Sequence, residues 1–514
     1  MNAPDRPSPD SAVTQHDAEV LQRLGYRQEL ERRMSQFSNF SVSFSIICIL
    51  AGGINSLAQA TSGAGGAGVG LGWPLGCLMS AVFALAMAQI ASSFPTAGGL
   101  YHWAAVLGNR GLGWLTAWLN LFGLITVLGS VNVGAWTFLV GAFGKSWGVE
   151  NTLTNQMLFL AVLGTAQAWA NHRGIRLTAR LTDFSGYLIL VTCVGLTVLL
   201  AFKTTRWELS RLWRFENFTG PQGGDVWPRV TGVWPFLLGL LLPIYTITGY
   251  DASAHTSEET VNAEESVPKG MVQSVIYASV AGYVLLSMMV LAMPDMPKAA
   301  AQGWNVFFWL LDERAPGLPR TLACLAILVA QLLCGLAAVT STSRMIYAFA
   351  RDHGLPASTQ LARVSDRFKT PAIAIWTASI LALAFVWISS VITVAGATAY
   401  AMVVSCTVIL LFLSCLIPIL CGMAAAGTPR WPRPGAWSIG FTGFRLAGGA
   451  AVVSMIAMVI LGVQPPNEAA LWVCLAVFAL LGLYWGASAR RHFKGPKSTV
   501  SAPAATPTTR TPTP

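Results

Sequence analysis

The feature that most constrains this chain is a series of roughly a dozen apolar segments, each of about 18–27 residues, spread along its length. Each segment is long enough for a helix to cross a hydrocarbon core of about 30 Å. Of the 514 residues, 54% are hydrophobic and 11% are charged, whereas an ordinary soluble protein has about 25% charged residues. The sequence therefore predicts an all-α polytopic membrane protein with twelve transmembrane helices and no large soluble domain.

The chain divides into three parts. A polar N-terminal tail, residues 1–36, precedes a twelve-helix domain, residues 37–490, and the Pro/Thr/Ala-rich tail 491–514 is predicted to be disordered. The first tail has no apolar h-region, which argues against a cleavable signal peptide, and its stretch Ala18–Met34 predicts an amphipathic helix on the membrane surface. The predicted spans are residues 40–60, 71–94, 113–138, 156–171, 181–202, 233–260, 270–293, 319–350, 371–390, 397–421, 446–463 and 469–485.

The placement of charge argues against a nucleic-acid partner, although the net charge is +10. With the N-terminus inside, 23 of the 32 Lys and Arg residues fall in inward segments and nine in outward ones. This bias follows the positive-inside rule, so both termini are predicted to be cytoplasmic, in an inner or plasma membrane. Five of the nine outward residues lie in one loop, Ala201–Arg229, which is the main departure from the rule.

Motifs for an enzyme, a metal site or an ATP-driven pump are not found in the sequence. The nine cysteines fall singly within apolar segments, where they are predicted to pack as small apolar residues rather than to form disulfides or bind metal. No Walker motif, cofactor-attachment motif or suggestive Ser/His/Asp set is present. The sequence thus predicts neither catalysis nor a cofactor.

The stretch Val233–Thr260 begins as a membrane helix and then changes character. Phe236–Ile247 is almost continuously apolar, but the residues that follow include Gly249, Tyr250 and Asp251. A carboxylate near the bilayer midplane costs about 2.5–3.5 kcal/mol on insertion scales, so Asp251 should face a cavity or a partner. One interpretation is a helix that unwinds at a substrate site. The other is a Gly-kinked structural helix in which Asp251 forms a buried hydrogen bond.

The first span contains a similar interruption at Leu50–Ser56, which includes the adjacent glycines Gly52 and Gly53. A break there would present free N–H groups and a positive helix end to an anion. Close helix packing is the alternative role for two glycines. The first and sixth spans occupy matching positions when ten spans are divided into halves of five, and paired interruptions of this kind are typical of inverted-repeat transporters.

The sequence leads to further predictions for four other segments. Thr61–Gly70 is predicted to be a flexible external loop, and His102 is predicted to lie with aromatic neighbours at the membrane interface. Asp183 is expected to pair with one of the arginines at 173, 176 and 180. The hydroxyl cluster Thr340–Ser343 either lines a cation site or bonds back to the preceding helical turn.

Six motifs are distributed along the chain: LGYRQEL (24–30), FSNFSVSF (37–44), FPTAGGLYHW (94–103), YTITGYDASAHTSEET (245–260), NAEESVPKG (262–270) and residues 350–371. Together they resemble motifs of the amino acid-polyamine-organocation permeases. The resemblance covers about residues 20–490 and is strongest to the amino acid/choline transporter branch, which includes GABA and choline permeases. It implies ten helices in two inverted repeats of five, plus two further helices.

The resemblance also implies roles for residues in both interruptions. Backbone N–H groups near Ala51, Gly52, Gly53 and Ile54, beside Asn55, would bind a substrate carboxylate. Backbone carbonyls near Tyr245, Thr246, Ile247 and Thr248, next to Gly249, would bind its amine. Tyr250 and Asp251 would act as gating residues just beyond the unwound turn. A positive helix end and a set of carbonyls suit a zwitterion without buried side-chain charge.

The predicted function is secondary active transport of a small amino acid or GABA-like amine by alternating access. Some members of the superfamily carry a lysine in the fifth span in place of a sodium ion, but Thr182–Phe202 contains neither lysine nor arginine. Proton coupling, sodium coupling and exchange therefore all stay open, as does the oligomeric state. The alternatives are a choline, polyamine or nucleobase permease and, in another class, a membrane sensor that does not transport.

Overall fold

The computed structural model describes residues 9–394, 397–464 and 469–496. Within these ranges, ten helices are long and apolar enough to cross a membrane. Two further predicted spans are also helical, Leu153–His172 and the shorter Trp234–Thr246, but they are not among those ten. The all-helical membrane fold is confirmed, and the number twelve stays a prediction.

The helices follow the predicted spans closely, with differences mainly at their ends. In chain order they are α1 (Pro9–Arg23), α2 (Gln36–Ile47), α3 (Ile49–Ala64), α4 (Ala67–Gly70), α5 (Gly72–Ser93), α6 (Leu100–Leu107), α7 (Arg110–Leu139), α8 (Lys145–Trp147), α9 (Leu153–His172), α10 (Ile175–Lys203), α11 (Trp234–Gly239), α12 (Leu241–Thr246), α13 (Ala252–His255), α14 (Ala263–Ala292), α15 (Met296–Ala301), α16 (Val306–Arg314), α17 (Leu318–Arg351), α18 (Ser358–Leu361), α19 (Ala372–Val391), α20 (Ala399–Ala425), α21 (Gly440–Gly462), α22 (Ala469–Tyr484) and α23 (Arg490–His492). Two short strands, β1 (Thr393–Val394) and β2 (Ala397–Thr398), pair antiparallel.

Two groups of helices pack side by side and position the interrupted segments between them. α14 lies along α2 and α5, while α7 lies along α17 and α20. α10 contacts both groups, through α2 and α14 on one side and α17 on the other. Because α3 and α12 pack against each other, the two interrupted spans meet within the fold.

The N-terminal segment, residues 24–34, differs from its prediction. α1 ends at Arg23, and the chain then runs without helix into the protein interior. The amide of Met34 donates to the carbonyl of Glu259 at 2.8 Å, and the amide of Val261 donates to the carbonyl of Met34 at 2.9 Å. The prediction of a surface helix over Ala18–Met34 is therefore wrong from Leu24 onwards, because the backbone of Arg33 and Met34 pairs with the loop before α14. Residues 18–23 are helical, as the end of α1.

The stretch Thr61–Gly70 is not a flexible loop. It continues α3 to Ala64 and then forms α4, and most of it is buried. A Cβ atom at Gly66 would lie 2.1 Å from the carbonyl oxygen of Arg211, and one at Gly70 would lie 1.9 Å from that of Leu212. The glycines therefore allow the loop between α10 and α11 to pack directly on this stretch.

That same loop holds four of the nine basic residues that are predicted to lie outward, and two of the four form ion pairs within it. Arg211 Nε lies 2.9 Å from Glu208 Oε2, and Arg214 Nε lies 3.2 Å from Glu216 Oε1. Neighbouring carboxylates thus offset part of the charge that departs from the positive-inside rule.

The structure also bears on three expectations about individual polar residues. His102 is fully buried rather than interfacial. Asp183 accepts a hydrogen bond from the Ser38 hydroxyl at 2.9 Å, and none of the ion pairs in the described part of the chain joins it to an arginine. Thr342 and Ser343 donate to the carbonyls of Ala338 and Thr340, at 2.7 and 3.0 Å, so these hydroxyls bond back along α17.

The C-terminal tail is described only to residue 496, and residues 497–514 lie outside the described part of the chain. Phe493 is buried, with its ring centroid 5.8 Å from that of Phe349 and 6.4 Å from that of Tyr101. The start of this tail therefore packs against the helical domain.

Candidate functional site

The first interrupted span breaks at Cys48, between α2 and α3. Cys48 adopts a left-handed backbone conformation with φ 31° and ψ 73°, which is uncommon for a residue with a side chain and is often found at functional sites. Its carbonyl accepts hydrogen bonds from the amides of Ala51 and Gly52 at 2.8 and 3.0 Å. The predicted interruption is present, but it lies before Leu50–Ser56 rather than within it.

This shift changes which amides are available to a ligand. Because Ala51 and Gly52 donate to Cys48, and Gly53 and Ile54 lie inside α3, the prediction that these four N–H groups are free is wrong in this conformation. The first amides of α3 belong to Ile49 and Leu50. The N-terminus of a helix leaves such groups without an intrahelical acceptor, so the positive end of α3 lies at these residues.

The second interruption lies where the sequence predicts it. α12 ends at Thr246, α13 begins at Ala252, and Gly249 between them has φ 93°. A Cβ atom at Gly249 would also lie 2.3 Å from Cγ2 of Ile46, so both the backbone angle and the close approach require glycine. The helix end frees carbonyls that a further turn would use, and the Thr248 hydroxyl donates to that of Tyr245 at 2.7 Å.

Direct contacts hold the two interruptions together. The Ser56 and Thr246 hydroxyl oxygens are 3.3 Å apart. Ser43 lies in α2, before the first break, and contacts two residues that follow the second break. It donates to the carbonyl of Tyr250 at 2.9 Å and accepts from the amide of Ser253 at 2.9 Å. The start of α3 and the end of α12 therefore lie side by side within the protein.

A cavity of about 570 Å³ adjoins both interruptions. Its size is within the range of small-molecule sites. Among the residues that the structure describes, those lining it include no Asp, Glu, Lys, Arg or His. Seven of the predicted site residues line the cavity: Ala51, Gly52, Ile54, Asn55, Tyr245, Thr246 and Thr248.

The other five predicted residues do not line it. Ile247, Gly249, Tyr250 and Asp251 are buried beyond the cavity, towards α13. A Cβ atom at Gly53 would point at Leu286 of α14, at 3.4 Å from Cδ1, so this glycine faces away from the cavity. Gly53 therefore has the helix-packing role that the sequence left as the alternative.

Sequence reasoning did not identify the opposite wall of the cavity, which comes from α7 and α16. On α7 the lining residues Ser130, Gly134 and Thr137 recur every three or four positions, so they share one helix face, and Gly141 in the helical turn after α7 continues the wall. The rings of Phe138 and Phe308, 5.3 Å apart, close part of this wall. The small residues at helical spacing were the available signal, but in an apolar span such a stripe also predicts helix packing.

The cavity opens at one end of the molecule. Thr137, Asn305 and Trp304 line it and are exposed, Trp304 with 58% of its surface accessible. The opposite end, residues 256–264, is closed by ion pairs and by the N-terminal segment. There Arg344 pairs with Glu259, and Arg351 Nη2 lies 2.9 Å from Glu258 Oε1.

The N-terminal segment adds a further set of contacts to the closed end. Arg32 donates to the carbonyl of Ser257 at 2.9 Å, and also to that of Thr260. Tyr26 donates to Asp352 at 2.7 Å, and the Arg351 guanidinium lies 3.8 Å from the Tyr26 ring centroid. The structure is thus open at the α16 end and closed at the end that holds the N-terminal segment.

Comparison with known proteins accords with this architecture. The sequence profile described as "Amino acid permease" matches residues 34–485, nearly the whole chain. The chain belongs to the amino acid permease family. Members of this family are transporters rather than enzymes, and the protein is a multi-pass membrane permease.

Several curated permeases are similar to this one. Amino-acid permease BAT1 of Arabidopsis thaliana is 30% identical, over 93% of this chain and 96% of that protein. The BAT1 homolog of Oryza sativa is also 30% identical, over 93% and 94%. The GABA-specific permease of Saccharomyces cerevisiae is 26% identical, over 72% of this chain and 66% of that protein.

Proposed function

We propose that this permease is a secondary active transporter of a small amino acid or GABA-like amine, working by alternating access. The observation that carries the proposal is the uncharged cavity beside two interrupted helices. A zwitterion has no net charge, so it can enter such a cavity without an oppositely charged side chain. Its two charged groups require local partners, which helix ends supply as backbone dipoles.

In this proposal the substrate carboxylate binds at the positive start of α3, where the amides of Ile49 and Leu50 have no intrahelical acceptor and where Ala51 and Gly52 line the cavity. The amine binds to carbonyl groups at the end of α12, near Tyr245 and Thr246. Ile54, Asn55 and Thr248 line the same cavity and complete this part of the site. Tyr250 and Asp251 act as gating residues, because they lie between the cavity and the closed end.

The proposed location is an inner or plasma membrane with both termini in the cytoplasm. The closed end then faces the cytoplasm, because the N-terminal segment is part of it. The excess of Lys and Arg in the predicted inward loops supports this orientation.

The uncharged cavity also weighs against one of the alternatives. A polyamine carries several positive charges, and among the described residues the cavity lining offers no carboxylate to pair with them. Choline would leave the start of α3 without an anion to bind, although the rings of Phe138 and Phe308 could contact its ammonium group. Competition assays with choline and a nucleobase therefore belong in the test.

Counterflow in proteoliposomes tests the proposal. Vesicles loaded with one unlabelled compound are diluted into its labelled form, with GABA, alanine, glycine, choline, spermidine and a nucleobase assayed in turn. We expect saturable exchange of GABA or a small neutral amino acid and none of spermidine. Exchange of choline or the nucleobase alone would establish one of the alternatives, and ligand binding without any flux would indicate a sensor.

A further inference from the structure

Two ionisable side chains lie buried together just beyond the second interruption. Asp251 and His255 are one helical turn apart, with 3% and 0% of their surfaces exposed. Nε2 of His255 is 3.5 Å from Oδ2 of Asp251. Nδ1 of His255 lies 3.1 Å from the carbonyl oxygen of Ala97. When Nδ1 carries a proton it donates to this carbonyl, which leaves Nε2 to face the carboxylate.

The surroundings of this pair are polar, and the Arg351–Glu258 ion pair adjoins them through Ala97, whose amide donates to Glu258 at 3.0 Å. From α7, Asn120 Nδ2 lies 3.3 Å from Asp251 Oδ2 and 3.4 Å from the Ser414 hydroxyl of α20. Tyr250 and Cys415 are two further titratable groups that interact with Asp251. None of the ion pairs in the described ranges links Asp251 to Lys or Arg, and the charged residues of the closed end pair with one another.

The charge on the pair depends on one proton. With neutral His255, an ionised Asp251 leaves one net negative charge buried beside amide and hydroxyl dipoles, which is an unfavourable state. One additional proton on Nε2 of the imidazole, facing the carboxylate, brings the net charge of the pair to zero. A proton on Nε2 also places a donor opposite the carboxylate oxygen 3.5 Å away, where this buried nitrogen otherwise has no hydrogen-bond partner among the described residues.

We propose that Asp251 and His255 together bind the proton that is coupled to transport. This inference rests on the proposed function, and it names the coupling ion that the sequence left open. The pair takes up one proton from the side to which the cavity opens, and the neutral pair stays buried while the cavity is closed on that side. When the other end opens and water reaches the pair, the proton dissociates there, one for each substrate carried.

This arrangement makes a quantitative prediction. With the membrane potential held at zero by potassium and valinomycin, which balance the charge carried in, a single coupled proton allows a gradient of one pH unit to support about tenfold accumulation of a net-neutral substrate. A sodium gradient at equal pH on both sides should support none. Counterflow needs no net proton movement, so it should persist without either gradient.

The experiment uses the full chain in proteoliposomes, with labelled GABA and labelled alanine as probes. Each preparation is assayed for counterflow and then for accumulation under an inward pH gradient, an inward sodium gradient or no gradient. We expect wild type to accumulate probe about tenfold per pH unit. The variant His255→Gln should keep counterflow and lose accumulation, because its amide does not bind the proton.

His102→Gln is the matched control. His102 is also fully buried in the closed half of the protein, and burial lowers its pKa to about 3, so it stays neutral near neutral pH. This variant should accumulate probe as wild type does. If His255→Gln does not elute as a monodisperse protein, the smaller His255→Asn replaces it, because its amide binds no proton either. Its accumulation, normalised to its own counterflow, should be absent.

The outcomes separate this inference from the proposed function. Counterflow without any response of wild type to the pH gradient would overturn the proton site and leave the permease function standing. Normal accumulation by His255→Gln or by His255→Asn would overturn it as well. Counterflow of neither probe would count against the proposed substrates and against this inference together.

Discussion

Arg344 and Glu259 form a bidentate ion pair in which neither side chain is exposed to solvent. Arg344 Nε and Nη2 lie 2.9 and 2.8 Å from the two carboxylate oxygens of Glu259. Glu259 belongs to the loop that follows α13, and its carbonyl accepts the amides of Arg33 and Met34. A single acidic residue thus joins α17, the second interrupted span and the N-terminal segment at the closed end.

Breaking this pair should destabilise the protein strongly. Arg344→Met or Glu259→Gln leaves one buried partner without its counterpart, which typically costs about 3–5 kcal/mol. The double variant Arg344→Met/Glu259→Met removes both charges and should recover much of the loss. Thermal unfolding in detergent measures each effect, with Lys269→Gln as control because its pair with Glu265 is partly exposed. Single variants as stable as this control would contradict the prediction.

The second interruption could be predicted from the sequence, whereas the position of the first could not. Gly249 and Asp251 stand out in an apolar run, and a glycine at positive φ is what the break requires. In the first span the left-handed residue is Cys48, and nothing about a cysteine in an apolar segment indicates that conformation. The sequence predicts the break at the nearby Gly52 and Gly53, although both lie within α3.

Long-range packing accounts for the other differences. The N-terminal segment has the composition of an amphipathic helix, but its backbone pairs with residues more than 200 positions away, which local periodicity does not reveal. Likewise, an apolar helix such as α7 shows a similar pattern whether a given face meets lipid, another helix or a cavity. The position of Gly134 on the cavity wall therefore became visible only with the fold.

Gly52 is predicted to be essential because of Thr246. A Cβ atom at position 52 would lie 2.8 Å from both Cγ2 and Oγ1 of Thr246. Rotating Thr246 away would break its 2.9 Å hydrogen bond to the carbonyl of Leu242. Gly52→Ala should therefore separate the two interrupted spans, at a cost of about 1–3 kcal/mol, and reduce counterflow.

Two further variants make this test specific. Gly53→Ala is the neighbouring control, since its Cβ would meet Leu286 at an ordinary 3.4 Å, and it should transport normally. Thr246→Ala added to Gly52→Ala removes the two closest atoms and should restore part of the activity. Equal loss in the variants at positions 52 and 53, measured at equal amounts of protein in the vesicles, would show that the contact with Thr246 is not the cause.

Gly134 faces open space in the cavity, so a larger residue there should block substrate. A Cβ atom at this position has Asn55 Nδ2 as its nearest neighbour, at 3.8 Å. Gly134→Leu should fold normally but raise the KM for the transported amino acid by about tenfold or more, because its side chain occupies substrate volume. Gly195→Leu, on the exposed face of α10, is the control. An unchanged KM in Gly134→Leu would place substrate elsewhere.

Asp352 follows α17 and accepts hydrogen bonds from the phenols of Tyr26, at 2.7 Å, and Tyr101. Burial raises the pKa of Asp352 above its ordinary value of 3.8, even though Arg351 and the two phenols favour the ionised form. The folded protein therefore binds this proton more tightly than the unfolded chain does. Between the unfolded and folded pKa values, the folded state binds more protons, so the contribution of Asp352 to stability falls as pH rises.

The stability of Asp352→Asn relative to wild type should accordingly increase as pH rises. The asparagine carbonyl can still accept from one or both phenols, and burial raises the pKa of Tyr26, so that phenol stays protonated and able to donate. Wild type and variant are compared by thermal unfolding in detergent from about pH 5 to about pH 8. The unfolding temperature of the variant minus that of wild type should increase across this range. A difference that is constant or shrinks as pH rises would mean that Asp352 is ionised in the fold as readily as in the unfolded chain.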